Sequence, residues 1–131
     1  MSDQQTLGAI SPFFIVSDVS RAIRFYVDQL GFQVRFVEPE TSPFFAIVGR
    51  DSAQIFLKCV AEAITAQPNH TRHEWAPWDA FVYVDDPDSL AAEFASRGTA
   101  FHSELADRHD GLRGFEVEDA DGYVLYFGRP R

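Results

Sequence analysis

The four histidines, His70, His73, His102 and His109, are the residues of this chain best suited to hold a metal or move a proton. Two of them stand in "HTRHE", with Glu74 next to His73. On a helix that spacing would place both rings on one face. Pro68 and Pro77 flank the stretch, and the HExxH order of a zinc protease is absent, so exposed loop histidines are expected. His102 and His109 share no ligand spacing, and nothing joins them to Asp79 as a third donor. Glu62, Asp79 and Glu104 have the chemistry of general bases, but no neighbour marks any of them out. The sequence contains no GxSxG elbow, no phosphate-binding P-loop and no GxGxxG motif. The usual warrants for a serine hydrolase, a P-loop enzyme or a dinucleotide enzyme are therefore missing.

The single cysteine, Cys59, excludes an intrachain disulfide and reads as a structural thiol. Its isolation fits a reducing compartment, and a cytoplasmic location is expected. The start, "MSDQQTLGAI", has neither a basic nor an apolar leader region, and no stretch approaches the ~20 apolar residues of a membrane span. Hydrophobic residues make up 46% of the 131-residue chain, enough for a packed core. The net charge of −9 disfavours nucleic acid and anionic membranes as partners and favours cationic small molecules. Thirteen phenylalanines are a heavy load for this length, and large aromatics line pockets as well as cores.

These groups must be positioned by the elements around them. "SPFFIV" reads as a strand and "SDVSRAIRFYVDQLG" as a helix. Val19, Ala22, Ile23, Tyr26, Val27 and Leu30 recur at helical spacing, Ser17 or Asp18 can cap the start, and Gly31 suits the stop. "FQVRFVE", "PFFAIVG" and "AQIFLKCV" follow as strands, the last two joined by the turn "GRDS". The order then repeats. "DAFVYV" is a strand, and "DDPDSLAAEFASRG" is a helix capped by Asp86 with Pro87 at its first position. "TAFHSEL" is a strand, and "RGFEVED" and "GYVLYFG" close the chain as a hairpin. Asp18 and Asp86 are 68 residues apart, and Phe56 and Tyr126 are 70 apart. This drift fits an insertion around the second strand of the unit. The connector between the halves carries His70, His73, Trp75 and Trp78, and its "VAEAITAQ" has helical propensity.

Tandem βαβββ units, the "SDVSRAIRFYVDQLGF" segment and the closing "DADGYVLYFG" resemble the vicinal oxygen chelate superfamily, from about Ile10 to Pro130. That superfamily includes glyoxalase I, extradiol dioxygenases, and fosfomycin and bleomycin resistance proteins. The resemblance implies an α+β fold: one domain over residues 1–131, with modules at about 9–60 and 78–130, a long loop at 61–77, and an incomplete curved barrel. In enzymes of the superfamily, histidines on the first strands and glutamates on the last strands hold a divalent metal. The matching positions here are Ser11, Phe56, Asp79 and Tyr126. Only Asp79 is a good ligand, and one carboxylate cannot hold zinc, nickel or manganese.

Alternation along the strands places Ser11, Phe13, Gln54, Phe56, Lys58, Asp79, Phe81, Tyr83 and Tyr126 on one face, with Trp75 and Trp78 able to close over it from the loop. An aromatic groove with few polar groups resembles the bleomycin-resistance branch. The expectation is a homodimeric, cofactor-free and metal-free protein that sequesters a flat aromatic or cationic ligand, Asp79 fixing its charged group. The alternatives are a metal-dependent lyase, isomerase or dioxygenase with relocated ligands, and an assembly subunit that fills its own groove.

Overall fold

The computed structural model describes residues 4–61 and 63–131. Its first module comprises β1 (Phe13–Ile15), α1 (Val19–Leu30), β2 (Gln33–Glu38), β3 (Phe45–Arg50) and β4 (Ala53–Lys58). The second comprises β5 (Ala80–Tyr83), α2 (Pro87–Ser96), β6 (Phe101–Asp107), β7 (Leu112–Glu118) and β8 (Val124–Pro130). Each module is a four-stranded mixed sheet, ordered β1-β4-β3-β2 and β5-β8-β7-β6, in the α+β arrangement the repeat predicts. The first strand of each module pairs in parallel with the last, and the other pairs are antiparallel.

Local chemistry sets the helix ends. The Asp18 carboxylate accepts the Arg21 N–H at 3.1 Å, and Gly31 ends α1 at φ 70°. Asp86 accepts the Ser89 N–H, and Pro87 opens α2. On each sheet the alternate residues that face the helix form the core. Phe14, Val16, Ile55 and Leu57 do so in the first module, and Phe115, Val117, Leu125 and Phe127 in the second. Val19, Ala22, Tyr26 and Leu30 are the buried stripe of α1, and Phe94 is its counterpart on α2.

Strand register refines the repeat. Phe13 pairs with Phe56, and Phe81 with Tyr126. Ile47 pairs with Phe56, and Glu116 with Tyr126, so the third strands of the modules are offset by 69 residues. One added residue therefore lies before β7. The other lies in the closing hairpin turn, not in the second-strand region to which the whole drift was assigned. The helix anticipated in "VAEAITAQ" is absent among the described residues; Glu62 lies outside them. Val60 and Ile64 are exposed, so among its described residues the segment buries little to offset the cost of helix nucleation. A short 3-10 turn forms instead at Asn69–Thr71. Among the described residues, no helix is long and apolar enough to cross a membrane.

Each hairpin turn is tied to the helix of the opposite module. After β7, Asp119 is buried; its Oδ1 accepts the N–H groups of Asp121 and Tyr123 at 2.9 Å, and its Oδ2 accepts the Tyr26 hydroxyl at 2.6 Å. On the other side, Arg50 donates two 2.8 Å bonds to Glu93 of α2 and a third to the Leu30 carbonyl. Hydrogen bonding from Arg50 draws the Glu93 pKa down to about 2. Burial does the opposite to Asp119, raising its pKa to about 6 against the bonds it accepts.

An acid raised in the folded state stabilises the fold below its unfolded pKa, and that contribution is lost as pH rises through the folded value. Asp119→Asn removes this loss. Between about pH 4 and pH 7, stability should shift in favour of the variant by on the order of 3 kcal/mol, read by urea denaturation across the range. Parallel pH profiles for the two proteins would refute the assignment.

Candidate functional site

The sheet faces turned away from the helices carry the aromatic residues. On the first sheet, Phe13 and Phe56 are register neighbours with ring centroids 6.1 Å apart, and Phe45 lies 5.9 Å from Phe56. Phe36 extends the cluster from β2 at 5.9 Å from Phe45. Phe13 remains 59% exposed. The Lys58 ammonium sits 4.3 Å from the Phe44 ring, a cation–π contact at the margin of the cluster. Arg35 lies across Gly49, where a Cβ would come within 2.5 Å of its guanidinium, and donates to the Gln54 side chain at 3.3 Å.

The second sheet has a different surface at the same register. The Tyr126 ring packs against the paired glycines Gly114 and Gly128; a Cβ on Gly128 would come 2.5 Å from its Cε1. Phe81 stacks on it at 5.4 Å and 17°, and Trp78 covers it at 4.8 Å. The Arg108 guanidinium lies 5.5 Å from the Tyr126 ring and 5.8 Å from that of Trp78. Tyr126 is 1% exposed as a result. Burial raises the pKa of its phenol, so the hydroxyl stays protonated. The Tyr126 hydroxyl and the Trp78 indole N–H are both buried without a hydrogen-bond partner among the described residues.

Beside this stack is a polar group that sequence reasoning did not assemble. Glu116, opposite Tyr126 on β7, is buried; one oxygen lies 2.9 Å from His102 Nδ1 and the other 3.5 Å from Arg108. His102 Nε2 is 3.7 Å from Glu118, and its ring centroid is 5.4 Å from that of His70. His70 Nε2 in turn lies 2.9 Å from the Gly122 carbonyl. His70 is therefore half-buried and anchored, whereas His73 is an exposed loop residue as the sequence suggests. Alternation was the available signal for Glu116, since it lies between the core residues Phe115 and Val117.

The remaining anticipated residues are dispersed. Trp75 is 84% exposed, and only Trp78 covers the aromatic stack. Ser11 is half-buried just ahead of β1. Gln54, Phe81 and Tyr83 line one cavity of about 230 Å³; Phe13 and Asp79 line a groove of about 500 Å³ beneath the connector. Pro12 is in the wall of both. The Asp79 carboxylate accepts the N–H of Asn69 and that of Val124, each at 2.8 Å, so it ties the connector to β8. With Asp79 engaged in this way, and with a phenyl ring, a covered phenol and a lone hydroxyl at the other three positions, the donor set does not fit a divalent metal. Among the described residues, no three His, Cys, Asp or Glu side chains converge as metal ligands.

The sequence and the fold place this arrangement among known proteins. Residues 9–127 match the Glyoxalase/Bleomycin resistance protein/Dioxygenase superfamily, and the chain belongs to it. The bleomycin-binding protein of bleomycin-producing Streptomyces verticillus, solved with copper(II)-bleomycin, is similar at 25% identity and a TM-score of 0.69, covering 98% of this chain and 99% of that one. TnmS3, an antibiotic-binding protein from Streptomyces sp. CB03234, matches at 20% identity and a TM-score of 0.70, covering 98% and 100%. Lactoylglutathione lyase from Agrobacterium tumefaciens shares the fold at 18% identity and a TM-score of 0.66, covering 95% of each chain. No functionally curated protein matches the chain.

Tyr126→Phe deletes a buried hydroxyl that has no partner among the described residues. Removing such a group is expected to leave stability unchanged or raise it by about 1 kcal/mol, measured by thermal denaturation without ligand. A loss of that size would show that the hydroxyl is satisfied in the free protein.

Proposed function

We propose that the protein sequesters a flat aromatic or cationic small molecule, without metal chemistry, on the helix-free faces of its sheets. The observation that carries this reading is the Trp78–Phe81–Tyr126 stack, with its two unpartnered buried donors. A planar ligand gains stacking area on Phe81, which is 41% exposed, and on Tyr83, which is 62% exposed. Acceptor groups on the ligand would satisfy the Trp78 and Tyr126 donors. Arg108 does not forbid a cationic ligand, because Glu116 and Asp110 outnumber its charge within 3.5 Å. Asp79, whose carboxylate is bound to the backbone, is not free to fix a ligand's charge; Glu116 and Asp110, themselves held by Arg108, supply only a negative field near the stack. A homodimer in which a second chain walls the groove fits the exposed phenylalanines of the first sheet.

Titrating Trp75→Phe protein, whose one tryptophan is Trp78, with metal-free bleomycin, and separately with the flat cation ethidium, should quench its fluorescence in a saturable way. Phe81→Ala should weaken the productive ligand about tenfold, the value of one lost stacking contact. Elemental analysis of protein purified without chelator provides the counter-test. Stoichiometric zinc, nickel, manganese or iron, with no response to either ligand, would favour a metal-dependent enzyme instead.

A further inference from the structure

The two modules meet at two junctions related by the internal repeat. At the first, the end of β1 meets the turn after β7, and Tyr123 fills the space. Its ring stacks on Phe14 at 4.1 Å and 5°, and its hydroxyl donates to the Ile15 carbonyl at 2.6 Å. At the second, the end of β5 meets the turn after β3. The repeat puts Val82 where Phe14 stands, Tyr83 where Ile15 stands, and Ala53 where Tyr123 stands. Alanine cannot plug the junction, and a cavity of about 630 Å³ opens there.

Its apolar lining includes Phe32, Ala53, Val82, Leu90, Phe94 and Phe127. Asp51, Asp85 and Asp86 are on its wall, and the arginine there, Arg50, is committed to Glu93 through both terminal nitrogens. The opening is therefore net negative. The strand edge repeats as well. Val84 N–H bonds to Gly128 as Val16 N–H bonds to Lys58, so the intervening Tyr83 carbonyl points off β5 as that of Ile15 points off β1. The first junction thus shows what the second can accept: an aromatic ring against the strand, with a donor on the edge carbonyl.

We propose that this second junction binds a small aromatic ammonium compound. The ring takes the place that Tyr123 occupies in the first junction, a donor group meets the Tyr83 carbonyl, and the positive charge lies among Asp51, Asp85 and Asp86. Tyr83 borders both this cavity and the groove beside the aromatic stack, but Trp78, Phe81 and Tyr126 take no part here, and the proposal does not depend on the reading given for them.

The test is an amide-resolved NMR titration with tyramine, and with 3-(4-hydroxyphenyl)propionate as its anionic counterpart. Tyramine should shift the amides of Ser52, Ala53, Val82 and Leu90 with a Kd at or below about 1 mM, and the propionate should not. Ala53→Tyr rebuilds the missing plug and should weaken tyramine at least about tenfold. The absence of saturable shifts, equal responses to the two probes, or undiminished binding in a folded Ala53→Tyr would each overturn the proposal. If that variant does not fold, Asp51→Asn combined with Asp85→Asn decides it: tyramine affinity should fall at least about threefold, and an unchanged affinity overturns the proposal.

Discussion

The fold depends on how a hairpin turn of one module is locked to the helix of the other. A four-stranded sheet with one helix buries only one of its faces, so neither module forms a closed core alone. Asp119 joins them on one side by accepting three hydrogen bonds, one of them from the Tyr26 hydroxyl of the opposite module. Arg50 and Glu93 do the same on the other side by charge. The two ties respond differently to their surroundings. The buried carboxylate is disfavoured by desolvation, whereas the half-exposed ion pair has its carboxylate held ionised. Both ties lie where a hairpin of one module meets the helix of the other, and the 630 Å³ cavity opens beside the second of them, with Arg50 and Glu93 in its wall.

The repeat conserves backbone register and lets the side chains diverge. Tyr26 corresponds to Phe94, Asp119 to Arg50, Tyr123 to Ala53, and Tyr126 to Phe56. Register is fixed by ladder hydrogen bonds and by the requirement that alternate residues face a helix. Neither constraint acts on the outward residues or on the turns. Two such modules can therefore share a fold while one presents a plain phenylalanine cluster and the other an aromatic stack with buried donors.

The same distinction explains what was legible in the sequence. Asp18, Asp86, Pro87 and Gly31 act within a few residues of themselves, so the helix limits could be read directly. Alternation separated Phe14 and Leu125 from Phe13 and Tyr126 because the period of a strand is fixed. The role of Asp79 was not readable, because its partners are backbone groups 10 and 45 residues away. Nor was the convergence of Arg108, Glu116 and His102, which depends on how β6 and β7 lie beside each other. The burial of Tyr126 follows from Gly114 and Gly128, whose missing side chains form its bed; two glycines in separate strands carry no such message on their own.

The Trp78 indole N–H and the Tyr126 hydroxyl, buried without a partner among the described residues, are costly features for a protein to retain. A buried donor without an acceptor costs about 1–3 kcal/mol, and replacing Tyr126 with phenylalanine would remove one at little loss of packing. Packing alone therefore does not account for a tyrosine there. Arg108 cannot relieve it, because a guanidinium only donates hydrogen bonds. Glu116 could accept, but His102 and Arg108 already engage its oxygens. What the arrangement lacks is an acceptor from outside the chain. Under the reading proposed above, a flat ligand stacked at the Phe81 edge of this cluster would supply it by bringing carbonyl or hydroxyl oxygens. Its selectivity would then rest on where those oxygens sit, more than on the aromatic area that any planar molecule can offer.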